Sequence, residues 1–189
     1  SMQPDKCIRG GEKHFEYDHG YDEDGTQESI YQKSVASLVE GCFQGYNGTV
    51  FAYGQTGSGK TYSTMGLPND SEDEGIIPRA LRHIFSFLKS SHSDEEGKTT
   101  LFNLASVHVS YMEIYNEKVF DLLDLTSPCK SGLKVREHNV LGPYVDGLSQ
   151  LAVISYQEIE DLMIEGNKSR TVASTNMNNE SSRSHAVFT

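Results

Sequence analysis

The stretch Thr49-Val50-Phe51-Ala52-Tyr53-Gly54-Gln55-Thr56-Gly57-Ser58-Gly59-Lys60-Thr61-Tyr62 decides the fold. Thr49 to Tyr53 is an apolar, β-branched and aromatic run that reads as a buried strand stopping at glycine. Gly54 to Thr61 then fits G-x-x-x-x-G-K-[ST], the pattern of a phosphate-binding loop placed between a strand and a helix. Gly54, Gly57 and Gly59 open backbone conformations closed to residues with a Cβ, so successive N–H groups can turn toward one anion. A helix starting near Lys60 adds its unpaired first-turn donors and the positive end of its dipole. Lys60 brings a full charge to the outer phosphates, and the Thr61 hydroxyl suits the coordination shell of a magnesium ion.

At 189 residues the chain holds one core and is too short for two comfortable domains. Its 36% hydrophobic content suffices for an α/β core, and no apolar stretch reaches the length of a membrane span. Ser1-Met2 reads as the remnant of a cleaved tag, without a signal segment behind it, which makes a cytoplasmic setting the default. Cys7, Cys42 and Cys129 are widely spaced and read as free thiols, Cys42 on the apolar stripe of a helix. None of the seven histidines belongs to an H-x-x-x-H or H-E-x-x-H pattern, so zinc catalysis has no support. The 27 acidic against 16 basic side chains, a net charge of -11, disfavour nucleic acid as a partner, because phosphate contacts need clustered Lys and Arg.

Before the loop, Phe15 and Tyr17 alternate with polar residues as a short strand, and Asp22 to Gly25 is a turn. From Ser29 onward, Tyr31, Val35, Leu38, Val39, Cys42 and Tyr46 recur at helical intervals and predict one amphipathic helix, ended by Gly45 to Gly48. After the loop, Pro78 opens a helix with Leu81, Ile84, Phe85 and Leu88 on one face, running to about Lys89. Leu67 to Gly75 and Ser90 to Lys98 read as exposed loops. Leu101 to Tyr115 is the longest strand candidate, turned at Asn116-Glu117 into Val119 to Leu123. Leu133 to Glu137 and Leu148 to Val153 read as short strands. Ser155 and Glu158 form a capping box for a helix with Ile159, Leu162 and Met163 inside, closed by Gly166. From Lys168 onward Arg170, Asn176, Asn178, Asn179, Ser181, Ser182, Arg183, Ser184 and His185 crowd into a polar segment that suits a loop closing on a ligand. Taken alone, such Ser- and Asn-rich segments are more often turns. Interleaved strands and helices around a phosphate loop predict an α/β fold of P-loop NTPase type: a central, mainly parallel twisted sheet with helices on both faces.

Three stretches in this order resemble the kinesin motor domain: FAYGQTGSGKT (Phe51 to Thr61), YMEIYNE (Tyr111 to Glu117) with DLL (Asp121 to Leu123), and NMNNESSRSH (Asn176 to His185). LKVREHNVLGPYVDGL and EGNKSRTVASTNMN are most similar to the kinesin-3 group, whereas the region before Gly66 is more similar to other plus-end-directed groups. The resemblance implies a microtubule-stimulated ATPase that binds ATP or ADP with Mg2+. Gln55, Thr56, Gly57, Ser58, Gly59, Lys60 and Thr61 would form the phosphate loop, and Tyr62 would pack against the adenine. Asn176 to His185 would be the first switch loop, with Ser182 at the γ-phosphate and magnesium, Ser181 holding the lytic water, and Arg183 pairing with a glutamate of the second switch. The implied catalytic set is therefore Lys60, Ser181, Ser182 and Arg183, with Thr61 and Ser182 as metal ligands. Arg170 would support the same network from the preceding helix, and YMEIYNE reads as sheet scaffold.

The family pattern has a carboxylate where this chain has Asn179, which keeps open a non-motile, nucleotide-dependent microtubule-binding module. A small GTPase would want an N-K-x-D motif, which is missing. On this reading residues 3–189 are the first part of a motor domain, without the second switch D-x-A-G-x-E or the main microtubule-binding helix. Alone, such a piece would hydrolyse ATP slowly or not at all. The acidic balance then fits a microtubule partner engaged mainly through the absent half, since tubulin is itself acidic. Dimerisation would lie in regions outside this chain, and the protein would work in the cytoplasm on the microtubule cytoskeleton.

Overall fold

The computed structural model describes residues 6–10, 13–67, 72–90, 106–124, 132–140, 142–176 and 184–189, with backbone alone at 6–10, 13–14 and 171–176. The chain divides into two units, residues 1–93 and 94–189. Cys129, Asn178, Asn179, Ser181, Ser182 and Arg183 lie outside the described residues, as do residues 68–71 and 91–105, the last five of which begin the expected strand Leu101 to Tyr115.

In the first unit, β1 (Lys6–Gly10) and β2 (Lys13–Tyr17) form an antiparallel hairpin with Cys7 opposite Glu16. The expected single helix is two: α1 (Gln27–Ser34) and α2 (Ala36–Phe43). Thr26 caps α1, its hydroxyl accepting from the Ser29 N–H at 3.1 Å. The break falls at Val35, whose φ of -124° leaves the helical range although its side chain is buried. This kink turns Tyr31, Val35, Ala36 and Val39 into one cluster, backed by Phe43, Ile76, Ala80 and Ile84. It also corrects two expectations: Cys42 and Tyr46 are exposed, because beyond Val35 the inward face is set by Ala36, Val39 and Phe43. Helix α3 (Lys60–Met65) follows the phosphate loop, and α4 (Ile76–Ser90) buries Leu81 and Phe85. Pro78 lies in the first turn of α4, where its missing N–H costs no helical bond. Phe43 of α2 stacks on Phe87 of α4 with ring centroids 3.8 Å apart.

The segment 49–53 is not a strand in this unit, and Phe51 and Tyr53 are 80% and 90% exposed. An apolar run becomes a buried strand only when neighbouring strands take up its N–H and C=O groups. No described strand pairs with it. The ladders among the described residues are all antiparallel.

In the second unit, the predicted long strand changes partners at Ser110. β3 (Val107–Val109) pairs with β8 (Leu151–Val153), whereas β4 (Tyr111–Tyr115) is the centre of a three-stranded sheet between β5 (Lys118–Asp121) and β9 (His185–Phe188). The buried Ser110 hydroxyl donates to the Ser149 carbonyl at 2.8 Å, and its backbone exchanges both bonds with Thr189 at 2.8 and 2.9 Å. The β4–β5 turn uses Asn116 and Glu117 at φ of 48° and 62°, the left-handed pair that a two-residue hairpin requires. β6 (Lys134–His138) and β7 (Gly142–Asp146) make a separate hairpin.

Helix α5 (Tyr156–Asn176) starts as expected: the Ser155 hydroxyl accepts from the Glu158 N–H at 3.3 Å. The Glu158 carboxylate reaches back to the N–H of Ile154 at 2.9 Å, one residue earlier than the capping box anticipates. Ile159 is fully buried and Met163 nearly so. Gly166 does not end the helix. A Cβ there would lie 2.5 Å from the Tyr111 ring, so the glycine serves close approach of α5 to β4, and the helix continues for ten further residues to Asn176.

Candidate nucleotide site

In the first unit the loop from Gly54 to Thr61 is a tight, exposed turn. Its Ser58 N–H donates to the Gln55 carbonyl at 3.2 Å. Gly57 and Gly59 hold φ of 80° and 86°, left-handed values that a side chain would strain. Gly59 is the residue from which α3 departs, so the first-turn amides of α3 border the loop. The Lys60 ammonium folds back over it and donates to the carbonyls of Gly54 and Gln55, each at 2.8 Å. Thr61 is exposed beside it. Behind the loop is an open cleft of about 220 Å³, lined by Val50, Tyr53, Ser58, Lys60, Thr64 and Ile76. Gln55 to Tyr62, all named from sequence as nucleotide contacts, are thus one continuous loop and helix start.

Tyr62 leaves its ring partly exposed and donates its hydroxyl to Asp73 at 2.7 Å. Its carbonyl accepts twice: from Gly66 N–H at 2.8 Å and from the buried Gln27 amide at 2.7 Å. Sequence reading missed Gln27. The apolar spacing begins at Tyr31 and starts the expected helix at Ser29, whereas α1 begins at Gln27, so the residue fell outside the predicted element.

In the second unit Arg170 of α5 donates from Nε to Glu113 Oε1 at 3.1 Å and from Nη2 to the Ser184 hydroxyl at 2.9 Å. Ser184 leads directly into β9, and β9 is held against β4, with Ala186 opposite Glu113. Arg170 therefore ties α5 to the point where the polar segment re-enters the sheet. Glu113 is 7% exposed and was read as scaffold. The signal was present: with Tyr111 it occupies the buried face of an alternating strand, where a carboxylate demands a cation. The Tyr111 hydroxyl donates to Asn167 at 2.9 Å, and burial, partly offset by the Arg170 charge, raises the pKa of the phenol.

The chain as a whole is similar to known proteins. The model of the kinesin motor domain matches residues 2–189. The human kinesin-like protein KIF13B is 51% identical over 189 residues, 96% of this chain and 10% of its own length. The Caenorhabditis elegans kinesin-like protein unc-104 is 49% identical over 182 residues, 93% of this chain and 11% of its own length. A solved structure of a fast kinesin superposes with a TM-score of 0.84 at 41% identity, over 96% of this chain and 49% of that one. The chain thus spans about half of that motor structure and about a tenth of the relatives. The fold is the P-loop NTPase-type α/β fold of that structure, in part, and the chain belongs to the kinesin motor-domain family.

Proposed function

We propose that the protein carrying this chain is an ATP-binding and ATP-hydrolysing microtubule motor, and that residues 3–189 are the first part of its motor domain. The observation that carries the reading is the loop itself: left-handed Gly57 and Gly59 lead into α3, with Lys60 folded back over the turn. Such a loop offers backbone donors and one mobile cation to a polyphosphate. Gln55 to Thr61 would hold ATP or ADP, with Tyr62 at the base. The donor set fits magnesium, since a Thr hydroxyl and phosphate oxygens are the hard ligands it takes. Thr61 and Ser182 would hold the ion, which neutralises charge on the phosphates when bound.

Phosphoryl transfer needs positioning and charge compensation more than covalent chemistry. On binding, Lys60 would exchange its two carbonyl acceptors for phosphate oxygens, a stronger charge-assisted contact. Ser181 would orient the attacking water, Ser182 would sense the γ-phosphate, and Arg183 would close onto the second switch. Arg170, paired with Glu113, would fix the return of that segment through Ser184.

The test is made in the complete motor domain. Lys60→Ala should abolish ATP binding, while Ser182→Ala and Arg183→Ala should keep binding and slow hydrolysis, for the arginine by about 10³-fold. Normal turnover in Arg183→Ala would overturn that residue's role. Asn179 favours a second reading, a non-motile module that binds microtubules according to nucleotide. Single-molecule motility separates the two. The net charge of -11 supports placing the tubulin-binding surface outside this chain, within a cytoplasmic protein of the microtubule cytoskeleton. Strong, salt-sensitive co-sedimentation of residues 1–189 alone with microtubules would defeat that placement.

A further inference from the structure

Gln27 is 3% exposed, and its Nε2 donates to the carbonyl of Tyr62, 35 positions later in the chain, at 2.7 Å. That carbonyl is already satisfied by the Gly66 N–H at 2.8 Å, so α3 does not need the second bond to close its last turn. The other amide atom, Gln27 Oε1, is buried and has no hydrogen-bond partner among the described residues. A buried acceptor left unpaired carries its full desolvation cost, and an apolar side chain of the same length would avoid it. Rules broken without a structural gain mark functional positions.

The same tyrosine is held at its far end. Its hydroxyl donates to Asp73, and Arg79 donates to the carbonyls on either side of that aspartate, Glu72 and Glu74, each at 2.9 Å. Arg79 also pairs with the carboxylate of Glu28, the neighbour of Gln27 in α1. A circuit closes: Gln27 to the Tyr62 backbone, the Tyr62 ring to Asp73, Asp73 framed by Arg79, and Arg79 back to α1.

We propose that Gln27 is a positioning residue for purine nucleotide binding, which acts by fixing Tyr62 from its backbone while the seat built by Arg79 fixes its ring. The inference rests on the reading of Gly54 to Thr61 as the nucleotide loop. It deepens that reading by placing the pre-organisation of α3 in α1 and α4, outside the phosphate loop. Holding a contact surface in its bound orientation raises affinity by lowering the ordering cost of binding.

The probe is ADP with Mg2+, titrated into the complete motor domain beside a thermal melt of the nucleotide-free protein. Gln27→Met keeps length and bulk while removing both the bond and the orphan acceptor. The expected result is ADP affinity lowered roughly three- to tenfold, with the melting midpoint unchanged or raised. Gln27→Glu turns a carboxylate toward the Tyr62 carbonyl, and its affinity, relative to wild type at the same pH, should recover on acidification as the carboxyl gains an O–H donor. Unchanged affinity in Gln27→Met, or a loss accompanied by a matching fall in melting midpoint, overturns the proposal. If Gln27→Met does not fold, failure of Gln27→Glu to recover at low pH overturns it equally. Wild-type protein that binds no ADP would instead defeat the reading of the loop, so the two failures are distinguishable.

Discussion

Arg170 and Glu113, 57 residues apart in sequence, form a charge-assisted pair at 3.1 Å in which the carboxylate is almost wholly buried and the guanidinium about three-quarters so. The pair joins α5 to β4 and leaves the guanidinium a second contact, to Ser184. A lone carboxylate on the buried face of β4 would be expensive, so the arginine is as much a condition of the sheet as a part of the site.

Removing one partner should therefore cost more than removing both. Glu113→Ala or Arg170→Ala is expected to lower unfolding free energy by about 2–3 kcal/mol, below the usual range for buried pairs because part of Arg170 meets water. Glu113→Leu combined with Arg170→Met should recover most of the loss. Urea denaturation of the singles and the double gives the coupling, and simple additivity would show that the two side chains do not stabilise one another.

Gly166→Ala reverses the usual helix rule. Alanine in a helix interior gains up to about 1 kcal/mol over glycine. Here its Cβ would lie 2.5 and 2.8 Å from two ring carbons of Tyr111, and overpacking costs about 1–3 kcal/mol. The net expectation is destabilisation by about 1 kcal/mol in chemical denaturation. A stabilised variant would show that α5 can move away from β4 without penalty.

Tyr31 sets an alkaline limit on the first unit. Burial first, and the charges of Glu28 and Glu40 second, raise its pKa from 10.0 to about 12, against the opposing charge of Arg79. The folded state thus holds the phenolic proton more tightly than the unfolded chain. Its contribution is fully present below pH 10 and is lost as pH rises from 10 toward 12, at up to about 1.4 kcal/mol per unit. Tyr31→Phe forfeits the hydrogen bond with His83 at 2.9 Å and should start less stable, yet fall less steeply over that interval. Denaturation curves at successive pH values compare the slopes, and equal slopes would sink the assignment.

Lys60 offers the most direct test of the loop. With its ammonium held, among the described residues, by the Gly54 and Gln55 carbonyls, Lys60→Ala should leave the fold within about 0.5 kcal/mol of wild type, as most substitutions away from a core do. Nucleotide affinity should fall by at least about 100-fold through loss of a charge-assisted phosphate contact. Calorimetric titration with ADP and a thermal melt of the same sample read both. Retained affinity would show that the loop's backbone donors suffice.

Much of this was legible in the residues. The hairpin at Asn116-Glu117, the cap at Ser155, the helix after Ile76 and the loop glycines follow from local rules, because turn and cap chemistry acts over a few residues. The kink at Val35 was not, since helical spacing is unbroken there and only packing against α4 turns the chain. Gly166 was misread as a terminator because a glycine required for close approach and one required for a cap look alike in sequence.

By itself the sequence determined the chemistry of the loop from Gly54 to Thr61 and, through three motifs in order, the resemblance to one family. Those are properties of residue types at short spacing. Tertiary structure alone decided that Glu113 faces Arg170, that Gln27 reaches Tyr62, and that 49–53 is not strand among the described residues. The physical reason is common to all three: a buried polar group or an unpaired strand is defined by partners distant in the chain, and spacing within a segment carries no information about them.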